Sequence, residues 1–261
     1  MASNQDVKIT LYWLENSRAQ RIVWLLEELR LPYELKMFKR MKDMQADAQL
    51  KEIHPLGKSP VVTIETPYTP KPLVLAESGV IVGYLIDCFG SKDTLSQCER
   101  FRPGCDHSIG RESEAWMREQ YFMHYVEGSL MPFLQLEAVV SNIRNAPVPF
   151  FIKPVTRMIS NKVYEAYLGP NLRRHLGFLE EQIESSPEDG RYLCGNQLSG
   201  ADILIVYALE VEEANGLLNQ KDYPRLTAYL RRLRERDGFK RATAKVESAG
   251  GSTSPLPRQR Y

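Results

Sequence analysis

From Val7 the chain alternates: Val7, Ile9, Leu11 and Trp13 share one face, and Lys8, Thr10 and Tyr12 the other, which predicts a β-strand ending at Leu14. Glu15-Asn16-Ser17-Arg18 then supplies turn and cap residues. Ile22, Leu25, Leu26 and Leu29 recur at i, i+3, i+4 and i+7, predicting an amphipathic helix that stops before Pro32. Tyr33 to Phe38 reads as a second strand, and a polar, Lys- and Gln-rich stretch follows to His54. Pro60 stands just before the β-branched run Val61-Val62-Thr63-Ile64, where its missing N–H bars it from an interior ladder position. It is therefore a turn residue and a candidate for a cis peptide. Lys71 to Leu75 reads as an edge strand, and Glu77-Ser78-Gly79 opens an apolar helix through Ile81, Leu85 and Cys88.

The order so far is β-α-β-β-β-α, and the composition then changes. Residues 91–110 are mostly polar and contain Pro103 and Gly104, which marks a linker between a domain over 1–90 and a domain over 111–242. Helical patterns dominate the second part: 113–140, 156–185, 202–215 and 224–236. From 243 to 261, with Gly250-Gly251-Ser252-Thr253-Ser254-Pro255, the chain reads as a disordered tail. Ser199 and Asp202 are spaced as a capping box, with Leu198 and Ile203 as its staple, so they are assigned to structure.

Composition narrows the classes. At 43% hydrophobic and 26% charged residues, the chain falls among ordinary folded proteins. Thirty-four Lys and Arg against 33 Asp and Glu leave a net charge of +1, with no general pull toward nucleic acid or an anionic membrane, so any anion site must be local. Cys88, Cys98, Cys105 and Cys194 form no C-x-x-C pair and have no histidines at zinc-ligand spacing; they read as reduced thiols, without a metal site. The first six residues lack the marks of a signal peptide, and the longest apolar run, 203–209, falls far short of the roughly 20 residues of a membrane span. A cytosolic protein without a transmembrane segment is expected.

Four segments, in this order and spacing, resemble the cytosolic glutathione transferases: Leu14-Glu15-Asn16-Ser17-Arg18-Ala19, His54-Pro55-Leu56-Gly57-Lys58-Ser59-Pro60, Ala76-Glu77-Ser78-Gly79 and Leu198-Ser199-Gly200-Ala201-Asp202. The resemblance reaches from the first strand to about Arg241 and is greatest to the fungal branch with a Ser-Arg-Ala segment. It implies a thioredoxin-like α/β N-terminal domain that binds glutathione, an all-α C-terminal domain that shapes the electrophile pocket, and a homodimer. Glutathione would be the co-substrate, with no permanently bound cofactor.

The chemistry of those segments agrees. A thiol of pKa about 8.5 is only a few per cent ionised at neutral pH, and lowering that pKa by two units takes about 2.7 kcal/mol. One hydrogen bond to the charged sulfur, about 1.5–3 kcal/mol, plus the field of a helix N-terminus can supply it. Ser17 stands where strand passes to helix and is the candidate thiolate stabiliser, with Asn16 and Tyr12 as alternatives. In the family the main chain before a cis proline pairs with the cysteinyl part of glutathione; here that residue is Ser59, before Pro60. Glu77 and Ser78 suit the γ-glutamyl ammonium and carboxylate, and Lys58, then His54, Arg18 or Arg40, the glycyl carboxylate.

Trp116, Met117, Phe122, Tyr121 and Tyr125 form an aromatic, Met-containing stretch suited either to an apolar electrophile pocket or to the core. The Pro-rich segment 146–154 walls that pocket or covers a dimer seam. Three activities follow: conjugation to small apolar electrophiles, glutathione-dependent peroxidase activity or, without the loop cysteine that thiol exchange uses, thiol-disulfide reduction as a lesser alternative. A non-catalytic binding, carrier or assembly module retaining the fold is the competing reading, and no nucleic-acid partner is expected.

Overall fold

The computed structural model describes residues 7–40 and 48–253. It divides into two compact units. One holds the residues up to 98 together with 198–207 and the segment from 233; the other holds 99–197 and 208–232.

The first unit is built on a four-stranded sheet of order β2-β1-β3-β4, with β1 at Lys8–Leu14, β2 at Glu34–Phe38, β3 at Val61–Glu65 and β4 at Leu73–Ala76. Strand β1 runs parallel to β2, pairing Leu11 with Leu35, and antiparallel to β3, pairing Leu11 with Val62. β3 is in turn antiparallel to β4. The predicted crossover is helix α1, Ala19–Glu28. A short helix α2, Leu50–Ile53, lies in the polar stretch before His54; it is anchored by the buried Leu50. Helix α3, Ser78–Phe89, follows β4. The result is the thioredoxin-like arrangement.

α1 is buried on all sides, Gln20 and Arg21 included, so it exceeds the single apolar stripe its sequence shows. The reason is helix α10, Asp237–Ser248, which packs along it; Phe239 meets Trp24 edge to face with ring centroids 5.3 Å apart. Two boundaries read from the sequence are corrected here. The tail does not begin at 243, because Ala242 and Val246 are buried on α10 and hold the helix together to Ser248. The helical unit likewise does not take all of 111–242, since 198–207 and the segment from 233 cluster with the sheet. The end of the expected tail, 254–261, lies outside the described residues.

The second unit is helical. Helices α4, Glu114–Tyr125, and α5, Met131–Arg144, are joined through a π turn at Val126–Leu130. Helices α6, Lys153–Val163, and α7, Gly169–Glu184, are joined in the same way through Tyr164–Leu168. Each π turn is followed within two residues by a proline, Pro132 or Pro170, whose missing N–H breaks the regular ladder. Ser113 caps α4 by accepting the Trp116 N–H at 3.1 Å. Leu134, Leu168, Leu172, Leu176 and Leu179 fill the core.

Two further helices, α8 at Gly200–Ala214 and α9 at Pro224–Arg234, complete the chain. The capping box at α8 differs from the expected form. Asp202, fully buried, accepts from both the Ser199 N–H at 2.8 Å and the Ser199 hydroxyl at 2.7 Å. The serine proton thus goes to the carboxylate, which must be satisfied where water cannot reach it. Among the described residues no helix is long and apolar enough to cross a membrane. The four cysteines form no disulfide.

Candidate active site

The loop before β3 and the start of α3 share one cleft in the first unit, lined by Arg18, His54, Leu56, Lys58, Ser59, Pro60, Ala76, Glu77 and Ser78. Seven of the eight residues assigned from the sequence to glutathione binding lie on it; Arg40 does not, being bonded to the Glu15 and Asn16 corner instead. Leu56, 59% exposed, and Ala76 are lining residues that sequence reading did not single out, since nothing chemical marks them.

The Ser59–Pro60 peptide is cis. The Ser59 hydroxyl donates to the Tyr12 carbonyl at 2.8 Å, fastening this corner to the end of β1. Ser59 lies outside the β-ladders, and no turn or loop bond among the described residues takes its N–H or C=O, so both can meet an extended ligand. Nothing in the residues around position 59 marks its side chain for this fastening.

Across the cleft, Glu77 precedes α3 with φ at 69° and ψ at 121°, a left-handed conformation uncommon for a residue with a side chain. Such a backbone costs on the order of 1–3 kcal/mol and persists where the surroundings enforce it. It aims the Glu77 side chain and the unpaired first N–H groups of α3 at one place. Ser78 is 3% exposed, and its hydroxyl has no partner among the described residues. The basic side chains of Arg18 and Lys58, the His54 imidazole and the acid Glu77 thus line one small space. That distribution complements a short peptide carrying both an ammonium and carboxylates.

The corner between β1 and α1 holds the candidate thiolate donors, and none of the three is among the residues lining the cleft. The Ser17 hydroxyl donates to the Leu14 carbonyl at 2.7 Å and accepts the Ala19 N–H at 3.2 Å, so its single proton is engaged. Asn16 has φ at 50°, and its carbonyl accepts from Arg40 Nη2 at 3.0 Å; the Arg40 N–H donates to Glu15 Oε1 at 2.8 Å. Arg40 thereby braces this corner. Tyr12 is turned onto the sheet, its hydroxyl 3.5 Å from Thr63 Oγ1 and its ring 5.5 Å from Lys36 Nζ. The alternation of β1 places it on that face.

Of the electrophile-pocket candidates in the second unit, Met117 and Tyr121 are about half exposed one turn apart on α4. Tyr121 stacks on Tyr125 with centroids 5.6 Å apart. Tyr125 itself is buried, its hydroxyl 2.7 Å from His175 Nδ1, and Phe122 is fully buried, so both serve the core. Trp116 lies under the Arg100 guanidinium, 4.9 Å from its ring.

Fold and cleft together define a thioredoxin-like protein with a charged cleft between its cis-proline corner and the head of α3. Residues 7–87 match the family described as Glutathione S-transferase, N-terminal domain, and residues 142–245 match Glutathione S-transferase, C-terminal domain. Glutathione S-transferase 1 of Saccharomyces cerevisiae is 30% identical over 94% of this chain and 97% of its own length. Glutathione S-transferase 3 of Schizosaccharomyces pombe is 29% identical over 92% and 88%. Among solved structures, a glutathione S-transferase from Actinobacillus pleuropneumoniae superposes with a TM-score of 0.61 at 27% identity, covering 94% of each chain. One from Phanerochaete chrysosporium, solved with oxidized glutathione, reaches 0.64 at 17% identity over 96% of this chain and 99% of its own, a likeness of fold. The chain belongs to the glutathione S-transferase family.

Proposed function

We propose that this protein binds glutathione in the cleft of the first unit, lowers its thiol pKa and transfers the thiolate to small apolar electrophiles. The observation that carries this reading is the meeting of the cis Ser59–Pro60 corner with the strained Glu77 and with the Ser78 hydroxyl, which has no partner among the described residues. Ser59 pairs with the cysteinyl main chain. Glu77 and Ser78 hold the γ-glutamyl end, and Lys58, His54 and Arg18 the glycyl carboxylate. The same activated thiolate would reduce organic hydroperoxides, and the working form is a cytosolic homodimer.

The thiolate donor is Ser17, which must turn its proton from the Leu14 carbonyl to the sulfur. Asn16 is a second reading favoured by one observation: its side-chain amide has no partner among the described residues, whereas the Ser17 proton is engaged. An amide can donate there without giving up an existing bond.

A glutathione titration by calorimetry, coupled to the ultraviolet absorbance of the bound thiolate across pH, tests both halves. Saturable binding with a thiolate pKa well below about 8.5 is expected. Binding with an unshifted pKa leaves a carrier, and absence of binding leaves a retained fold without the site.

A further inference from the structure

The net charge of +1 conceals a strongly uneven stretch. Between Glu137 and Glu165 no acidic residue occurs, while Arg144, Lys153, Arg157 and Lys162 do, a local charge of +4 over the end of α5, the loop before α6 and α6 itself. Lys153, Arg157 and Lys162 are exposed, and no carboxylate among the described residues pairs with them. The same stretch is apolar and uncovered. Phe150 is 84% and Phe151 66% exposed, and Ile152, Val155, Met158 and Ile159 are between 37% and 53% exposed.

A surface helix ordinarily turns its apolar stripe to the core. α6 does the reverse. Its one buried residue is Ser160, whose hydroxyl donates to the Val140 carbonyl at 3.2 Å, and the apolar residues at i, i+3 and i+7 from Ile152 face outward. Two adjacent exposed phenylalanines at a loop tip, followed by a helix that is both apolar and cationic, combine the two attractions of an interfacial segment.

We infer that the 150–162 segment is a peripheral docking surface for an anionic phospholipid bilayer, with Phe150 and Phe151 entering the interface and the cations of α6 meeting the headgroups. Charge selects this occupant over a second copy of the chain. A two-fold contact would set the same surface against itself, cation facing cation, whereas an anionic bilayer neutralises it. The surface shares no residue with the glutathione cleft and adds a location to the proposed chemistry.

Flotation of the full chain with vesicles of phosphatidylcholine, alone or with about one-third phosphatidylserine, tests this. Binding to the anionic vesicles is expected, falling steeply as salt is raised and weak on the neutral ones. Removing two cations in Lys153→Gln/Arg157→Gln should lower the partition coefficient about 25-fold, taking about 1 kcal/mol per charge. Phe150→Ser/Phe151→Ser should lower it at least about tenfold. All four side chains are exposed, so circular dichroism and thermal unfolding should stay as in the parent chain, and the salt series on that chain needs no variant. Absence of binding to anionic vesicles at low salt, or equal binding by both variants, overturns the proposal. So does a change in lipid-free sedimentation of the phenylalanine variant without vesicle binding, which would assign the face to a second copy.

Discussion

Glu28 on α1 and Arg236 just before α10 grip each other in a bidentate pair, Nε to Oε1 at 2.7 Å and Nη2 to Oε2 at 2.9 Å, across 208 positions of sequence. Trp24 Nε1 donates to the same Oε1 at 2.8 Å, so the buried carboxylate is satisfied from two elements. Such a pair stabilises less than its geometry suggests, but removing one partner strands a buried charge. Arg236→Ala should cost about 3 kcal/mol in chemical denaturation. Glu28→Leu/Arg236→Met, which removes both charges, should cost clearly less. A double variant as damaged as the single one would show that the pair, and not the stranded charge, carries the stability.

Gly238 makes room for that carboxylate. A Cβ at 238 would stand 2.6 Å from Glu28 Cδ and 2.7 Å from Oε1. Gly238→Ala should therefore destabilise by about 1–3 kcal/mol, even though alanine is the better helix former. In the Arg236→Ala background the carboxylate has lost its anchor and can yield, so the double variant should lose less than the sum of the two single losses. Strict additivity in a double-mutant cycle would count against this coupling.

These contacts show where sequence reading stops. The β1-α1-β2 order and the edge strand were legible because period and β-branching act over a few residues, whereas proline sterics marked Pro60 only as a turn and the cis peptide was implied by the family resemblance. α10 was not legible, since Ala242 and Val246 show their burial only once α1 is beside them. The cleft was legible through short segments whose residue types suit a zwitterion. The state of each donor was not: that Ser17 spends its proton on Leu14, and that Ser59 spends its own on Tyr12, depends on where the chain turns in space.

The engaged Ser17 proton makes the choice of thiolate donor measurable. If Ser17 rotates to serve the sulfur, Ser17→Ala should lower conjugation about 10²-fold, equivalent to about 2.7 kcal/mol, and raise the bound thiolate pKa. Asn16→Ala would then have a smaller effect. If Asn16 is the donor the two results exchange places, with Ser17→Ala felt mainly as a lost turn bond of about 1 kcal/mol in stability. The pH dependence of kcat/KM for both variants separates these cases, because only loss of the donor moves the thiol ionisation.

Ser78 allows a cleaner affinity test than most groups in the cleft. Its hydroxyl has no partner among the described residues, so Ser78→Ala should leave thermal unfolding nearly unchanged. A hydrogen bond to a carboxylate is worth about 1.5–3 kcal/mol, so glutathione Kd by calorimetry should rise on the order of tenfold or more. An unchanged Kd would remove the γ-glutamyl end from the head of α3.

His175 gives the second unit a pH dependence with a defined sign. Burial, and then the nearby Arg174 charge, hold its pKa below the ordinary value of 6.5. Its partner Tyr125 is pushed far upward, by burial first and then by Tyr121, so it remains a neutral hydroxyl across the working range. The neutral imidazole and the neutral phenol can therefore keep their 2.7 Å hydrogen bond at pH 7. Below about 6.5 the unfolded chain takes up a proton that the folded chain resists, so the unfolded state binds more protons and stability falls as pH falls. The loss levels off only below the folded-state pKa. Denaturant titrations between about pH 7.5 and 5 on the parent chain and His175→Gln should show a steeper decline in the parent, the difference isolating this histidine from His54, His107 and His124. Identical slopes would mean that His175 takes up its proton as readily in the folded protein as in the unfolded chain.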